Sequence, residues 1–161
     1  LGVQAQIKWP NDIVLNGKKL VGILTEMSAQ MNYIEYLVTG IGINANLREF
    51  PEELADKATS LQKEIGHKVN RSALIAECMK KIEENYEIFV KTQDLSGLMA
   101  AYQEVLVNQD QQVRVLEPGH EYTGVARGIN AMGELLVEKE DGTITEVYAG
   151  EVSVRGLYGY V

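Results

Sequence analysis

Residues 8–44 read KWPNDIVLNGKKLVGILTEMSAQMNYIEYLVTGIGIN, and this stretch decides the fold. Asn16-Gly17 separates two apolar, β-branched runs, which is the strongest short hairpin signal a sequence carries. Lys18 and Lys19 open the return strand, 18–27, and Gly22 lies inside it. A polar connection follows at 29–32. Residues 33–44 then form a further long strand that contains Gly40 and Gly42 and ends at Asn44. Strand side chains alternate at period 2, so Gly40, Gly42 and Asn44 share one face.

Glycine within a strand costs roughly 0.5–1 kcal/mol relative to alanine. Two on one face and a third on the next strand leave a bare strip of sheet, against which a flat or slender ligand can lie. Asn44 can donate and accept at once, which suits an amide or a purine edge. The lysines at the hairpin mouth supply positive charge for phosphate or carboxylate. Bulges or close strand packing explain the glycines equally well, and both readings stay open at this point.

Upstream, residues 4–9 alternate and run into a turn at Pro10-Asn11-Asp12. Lys8 and Asp12 flank that turn, placed either to reach a site at the mouth of the sheet or to form a surface ion pair of little energetic weight. Downstream, Pro51 with Glu52 and Glu53 signals a helix start. Leu54, Ala58, Leu61 and Ile65 keep helical spacing up to Gly66, with a weak point near Thr59-Ser60. Asn70 is expected to cap a longer helix to about Lys91. Its apolar stripe of Leu74, Ile75, Cys78, Met79, Ile82, Tyr86 and Phe89 has core spacing. Asp94 is expected to cap a third helix through Leu106.

Beyond about Gln109 the pattern changes to five short strands with turns at Asn130–Gly133 and Asp141-Gly142, which suggests a small SH3-like barrel. The fold class is therefore α+β: a mixed or antiparallel sheet with packed helices, then a small β-barrel. The boundary is placed to give domains 1–107 and 108–161.

The chain has 161 residues and a formal charge of −8, without a basic cluster, so nucleic-acid binding by this chain is not expected. A single cysteine, Cys78, allows no internal disulfide and agrees with a reducing, cytoplasmic setting. No apolar run reaches membrane-spanning length and no signal peptide is expected. The sequence opens at Leu1 and enters a strand-like run almost at once, which gives the expectation of a piece of a longer protein.

Taken together and in order, KWPND, KKLVGIL and GIGIN resemble the catalytic domain of the biotin–protein ligases, and AGEVSVRG resembles the end of that family's SH3-like domain. The resemblance implies an enzyme that makes biotinoyl-AMP from biotin and ATP with Mg2+. The biotinoyl group then passes to a lysine on the biotin carboxyl carrier domain of a carboxylase. By the same resemblance Lys19 touches biotin and phosphate and is catalytic with Asp12, and Gly22 is where backbone meets biotin. Lys8, Asn11, Gly40, Gly42 and Asn44 bind the nucleotide, with Asn44 at the adenine edge. In the second domain Arg155 matches a nucleotide-contacting position and Glu151 a position towards nucleotide or acceptor; a strand-edge ion pair explains these two equally well. Family members often dimerise through the central sheet, so a homodimer is expected.

The family also has earlier strands of the catalytic sheet and, in some members, a DNA-binding helix-turn-helix, and neither is expected in this chain. The glycine- and arginine-rich biotin loop that precedes KWPND in the family is absent, so this chain is expected to be inactive by itself. A lipoate-type ligase, a non-catalytic partner-binding module and the dimerisation part of a biotin-responsive repressor are the alternative readings. KWPND followed by KLVG speaks against the first.

Overall fold

Asn16 and Gly17 both take positive φ, 51° and 74°, the backbone that a two-residue hairpin turn demands. They join β2 (Asp12–Leu15) to β3 (Lys18–Gln30), and β1 (Gln6–Lys8) and β4 (Tyr33–Ile43) complete a sheet of order β1-β2-β3-β4. Every pairing in it is antiparallel. The computed structural model describes residues 2–117, 119–149 and 153–156.

After β4 the chain turns along the sheet instead of entering the expected helix over 54–65. A single 3-10 turn, Glu52–Leu54, is followed by α1 (Leu61–Ile65) only. Two competing bonds explain the difference. The backbone N–H of Lys19 donates to Lys57 O (2.8 Å) and that of Thr59 donates to Lys19 O (2.9 Å), which draws 57–59 into a parallel bridge with β3. Ser60 is extended and accepts from Lys63 N (3.2 Å), so it caps α1 rather than continuing a helix. Gly66 ends α1 in the left-handed conformation, as its sequence position predicts.

Asn70 caps α2 (Arg71–Thr92) through Ala73 N, as expected. The reading of its stripe as core is corrected. No described residue of α2 is buried, and Met79 and Tyr86 are 57 % and 63 % exposed. Periodicity specifies which face a helix offers, not that a partner covers it. α3 (Met99–Glu104) is shorter than the spacing predicts, because Leu95 N–H bonds to Ala131 O (2.9 Å) and holds residues 94–98 in turns.

The second sheet contains β5 (Gln112–Glu117), β6 (His120–Ile129), β7 (Leu135–Glu138), β8 (Ile144–Val147) and β9 (Ser153–Gly156), in the order β8-β7-β6-β5-β9. The α+β class is thus borne out, with antiparallel sheets and a β-rich C-terminal part. Two hydrophobic cores result. Leu15, Leu20, Val21, Ala45, Leu61 and Val69 pack behind the first sheet. Val113, Val115, Ala126, Ile129, Leu135, Val137, Val147 and Val154 fill the second, and Trp9 from the N-terminal turn is buried among them.

Tyr102 on α3 packs at the margin of this second core, and burial pushes its phenol up to about 12. An unfolded tyrosine titrates near 10, so above that pH the unfolded chain releases a proton that the folded chain keeps. The stabilisation is complete below about pH 10 and lost as pH rises through about 12. Urea unfolding at several pH values is expected to show Tyr102→Phe losing about 2 kcal/mol less than the parent over that interval. Parallel losses in both would contradict the burial effect.

Candidate active site

The strand register draws one row across the whole first sheet. Lys8 stands opposite Asp12, Asp12 opposite Gly22, and Gly22 opposite Gly42. Directly opposed residues share a face, so two charged side chains and two bare backbone positions lie in line. Gly40 falls opposite Leu24 on the same strand face as Gly42. A Cβ at Gly40 or Gly42 would meet only a carbonyl oxygen at 3.7 Å, so this end of the row is open.

Lys19 joins the row through a register shift. Val14 pairs with Lys19 but Ile13 pairs with Val21, which leaves Leu20 as an extra residue on β3. In a regular strand Lys19 and Gly22, three apart, would face opposite sides. The bulge absorbs one residue and re-aims the lysine. A Cβ on Gly22 would lie 3.0 Å from Lys19 Cε and 3.2 Å from its Nζ. Lys19 therefore lies over the vacant side-chain space of Gly22, and its Nζ reaches Asp12 Oδ1 at 2.5 Å. The carboxylate is nearly enclosed at 10 % exposed, whereas the lysine side chain stays 42 % exposed. Lys8, across from the same carboxylate, is 5 % exposed. The second hairpin lysine goes elsewhere: Lys18 Nζ donates to Ala55 O (3.1 Å).

Asn11 holds the turn onto β3. Its side-chain amide donates to Ile23 O (2.7 Å), and Ile23 N–H donates to Asn11 O (2.9 Å). Asn44 is fixed by its backbone, donating to Leu20 O and accepting from Leu61 N, both at 2.9 Å. Its side chain and Lys19 line a cavity of about 510 Å³, whose remaining wall is Leu47, Glu49, Phe50, Pro51, Leu54, Lys57 and Ala58. Predominantly apolar walls with a few placed polar groups suit a planar ligand with a polar edge. Sequence reasoning missed these walls because it assigned most of them to a helix. The apolar run Leu47, Phe50, Leu54 broken by Pro51 was the available signal.

Of the ten candidate residues, Lys8, Asp12, Lys19, Gly22 and Gly42 come together in or over one row, with Asn11, Gly40 and Asn44 at its borders. Arg155 lies on β9 opposite Arg114, in the other sheet. Glu151 falls outside the described residues. Among the described residues no three His, Cys, Asp or Glu side chains converge as a metal cage, and no helix is long and apolar enough to cross a membrane.

Residues 1–44 match the model of the biotin/lipoate A/B protein ligase family, and residues 110–155 that of the biotin protein ligase C terminal domain. The chain is 36% identical over 155 residues to the bifunctional ligase/repressor BirA of Bacillus spizizenii, covering 95% of this chain and 47% of that protein. It is 30% identical over 148 residues to the biotin--[acetyl-CoA-carboxylase] ligase of Mycobacterium tuberculosis, covering 91% of this chain and 52% of that one. The solved biotin protein ligase from Aquifex aeolicus in complex with biotin and ATP superposes with a TM-score of 0.80 at 31% identity, over 94% of this chain and 62% of that one. The chain thus spans about half the length of the curated relatives it matches. With two family models in order along it and a solved ligase superposing over 94% of it, the chain belongs to the biotin protein ligase family.

Proposed function

We propose that the intact protein carrying this chain activates biotin with ATP and transfers the biotinoyl group to a lysine of a carboxylase carrier domain. The observation that carries the reading is the Lys19 ammonium, laid over Gly22 between the glycine row and the Asn44 cavity. Activation requires the carboxylate of biotin to attack the α-phosphorus of ATP, forming a C–O–P mixed anhydride and expelling pyrophosphate. Two like unit charges at about 4 Å repel by roughly 4 kcal/mol at an effective dielectric of 20. A fixed ammonium between them removes that repulsion and stabilises charge that grows on the phosphoryl oxygens. In the second half, the acceptor amine attacks the acyl carbon and AMP leaves.

The roles follow from placement. Gly42 and Gly40 give a slender acyl chain or a sugar an open stretch of backbone, and Asn44 offers both a donor and an acceptor to the adenine edge. Asp12 holds Lys19 in line until the anionic substrates share its charge, and Lys8 balances Asp12. Arg155 and Glu151 are assigned to the nucleotide and the acceptor by the family pattern. Mg2+ is proposed to arrive on the phosphates, consistent with its preference for phosphate and water over an all-protein cage.

Residues 1–107 are proposed as part of the catalytic domain and 108–161 as the C-terminal domain. The exposed apolar residues of β4, Leu37, Val38 and Ile41 among them, support a homodimer along that edge. Because the chain spans about half the length of the curated relatives it matches, the activity is proposed for the intact protein, in a cytoplasmic setting. The ligase/repressor relatives support a repressor function for the intact protein as well, with DNA contacts made outside this acidic chain.

The test is ATP–pyrophosphate exchange by the intact protein, with biotin and with lipoate. Exchange that requires biotin is expected. Exchange that requires lipoate, or none with either acid, would overturn the proposal.

A further inference from the structure

The Lys8–Asp12 turn is clamped from two directions. On one side Asn11 is bonded twice to Ile23 of β3. On the other, the chain is bonded to the segment 105–108, which leads into the second sheet. Ile7 N–H donates to Val105 O (2.7 Å) and Val107 N–H donates to Ile7 O (2.9 Å), a short parallel bridge. Trp9 N–H donates to Asn108 Oδ1 (3.0 Å), and the indole Nε1 donates to Gly133 O (3.0 Å) in the β6–β7 turn. Trp9 and Asn108 are 1 % and 2 % exposed. That β6–β7 turn is itself fixed, since Asn130 Oδ1 accepts from Met132 N and Glu134 N.

We infer that Trp9 and Asn108 are positioning residues through which the C-terminal sheet sets the place of Asp12, and through Asp12 the reach of Lys19. The inference rests on the catalytic reading of Lys19. Its physical basis is leverage over a short distance. Asp12 is three residues beyond Trp9, at the start of β2, directly after a turn that carries bonded groups at both ends. A shift of Trp9 in the core moves the carboxylate that holds the ammonium. Placement errors of about 1 Å are enough to lower turnover about a hundredfold when reacting groups must align. Asn108 adds directionality that packing alone lacks, because a buried amide fixes its partner by a bond of defined geometry.

A double-substitution cycle in the intact protein tests this, read by biotin-dependent ATP–pyrophosphate exchange and by thermal unfolding. Asn108→Leu keeps the branching of the side chain, with somewhat more bulk, and removes the acceptor. It is expected to lower kcat about five- to tenfold with KM for biotin changed less than about twofold. In an Asp12→Asn background, where the lysine is no longer held by a carboxylate, the same substitution is expected to change kcat by less than about twofold. A stabilising role alone would lower the unfolding midpoint and act equally in both backgrounds. Equal factors, or no effect on kcat in the parent, overturn the inference. If Asn108→Leu does not fold, Trp9→Phe carries the same cycle, since it retains an aromatic ring in the core and removes the Nε1 donor together with part of the indole. A Lys19→Ala variant measured alongside separates the two ideas. Loss of exchange there with equal factors in the cycle removes this inference alone, whereas full exchange in Lys19→Ala removes the catalytic reading and this inference with it.

Discussion

Lys19→Ala in the intact protein is expected to slow biotin-dependent ATP–pyrophosphate exchange by about 10²–10³-fold, the scale seen when one preorganised charge-stabilising group is removed. The fold should persist. Residue 19 is held by its backbone, which pairs with Val14 in the sheet and bonds to Lys57 O and Thr59 N, and alanine keeps these bonds. Lys19→Arg is the instructive companion. Its planar guanidinium is a poor substitute for a compact ammonium in the space over Gly22, where Cε and Nζ already approach to 3.0 and 3.2 Å of a notional Cβ. Rates measured at saturating biotin and ATP distinguish lost catalysis from lost binding. Exchange within about threefold of the parent in Lys19→Ala would end the assignment of this lysine as the charge-stabilising group.

Trp9→Ala is expected to have the largest effect on stability, about 3–5 kcal/mol. Three losses add. The indole leaves a cavity among Val113, Val115, Ile129, Leu135 and Val137. Its Nε1 bond to Gly133 O, partly buried, disappears. The N-terminal sheet also loses its largest anchor in the second core. Thermal unfolding of the intact protein should shift down by several degrees, since about 2–4 °C per kcal/mol holds for 150–250 residues and the shift falls with size. A shift of only a degree or two would mean that the two parts are held together by contacts other than this side chain.

The turn residues carried the sheet in the sequence. Asn16-Gly17 fixed the hairpin because only residues tolerant of positive φ serve there. Period 2 alone set Gly40 and Gly42 on one face. The five C-terminal strands were legible through regular turn signals. The ion pair of Lys19 with Asp12 was not, because it depends on the unpaired Leu20, and period-2 reading has no means of locating a bulge. The loop around 47–60 misled for another reason. Leu54, Ala58, Leu61 and Ile65 happen to keep helical spacing, but the backbone of Lys19 recruits 57–59 first, a tertiary bond invisible to local propensity. Trp9 was passed over as the close of a strand. Its burial in the second core arises from a contact with Gly133, which lies 124 positions away in the chain.

The unpaired Leu20 also bears on which length changes this gene can accept. Removing one residue between Lys19 and Gly22 would abolish the bulge that sets how closely Lys19 approaches Gly22 and Asp12, even though regular alternation would keep all three on one face. Every residue type in the motif could survive and the reach of the ammonium would still change. At the far end of the same hairpin, around 31 and 32, an added or missing residue only lengthens or shortens an exposed tip. Variation in length should therefore accumulate there and be absent from 19–22, so spacing, more than identity, is the trait under constraint at this motif.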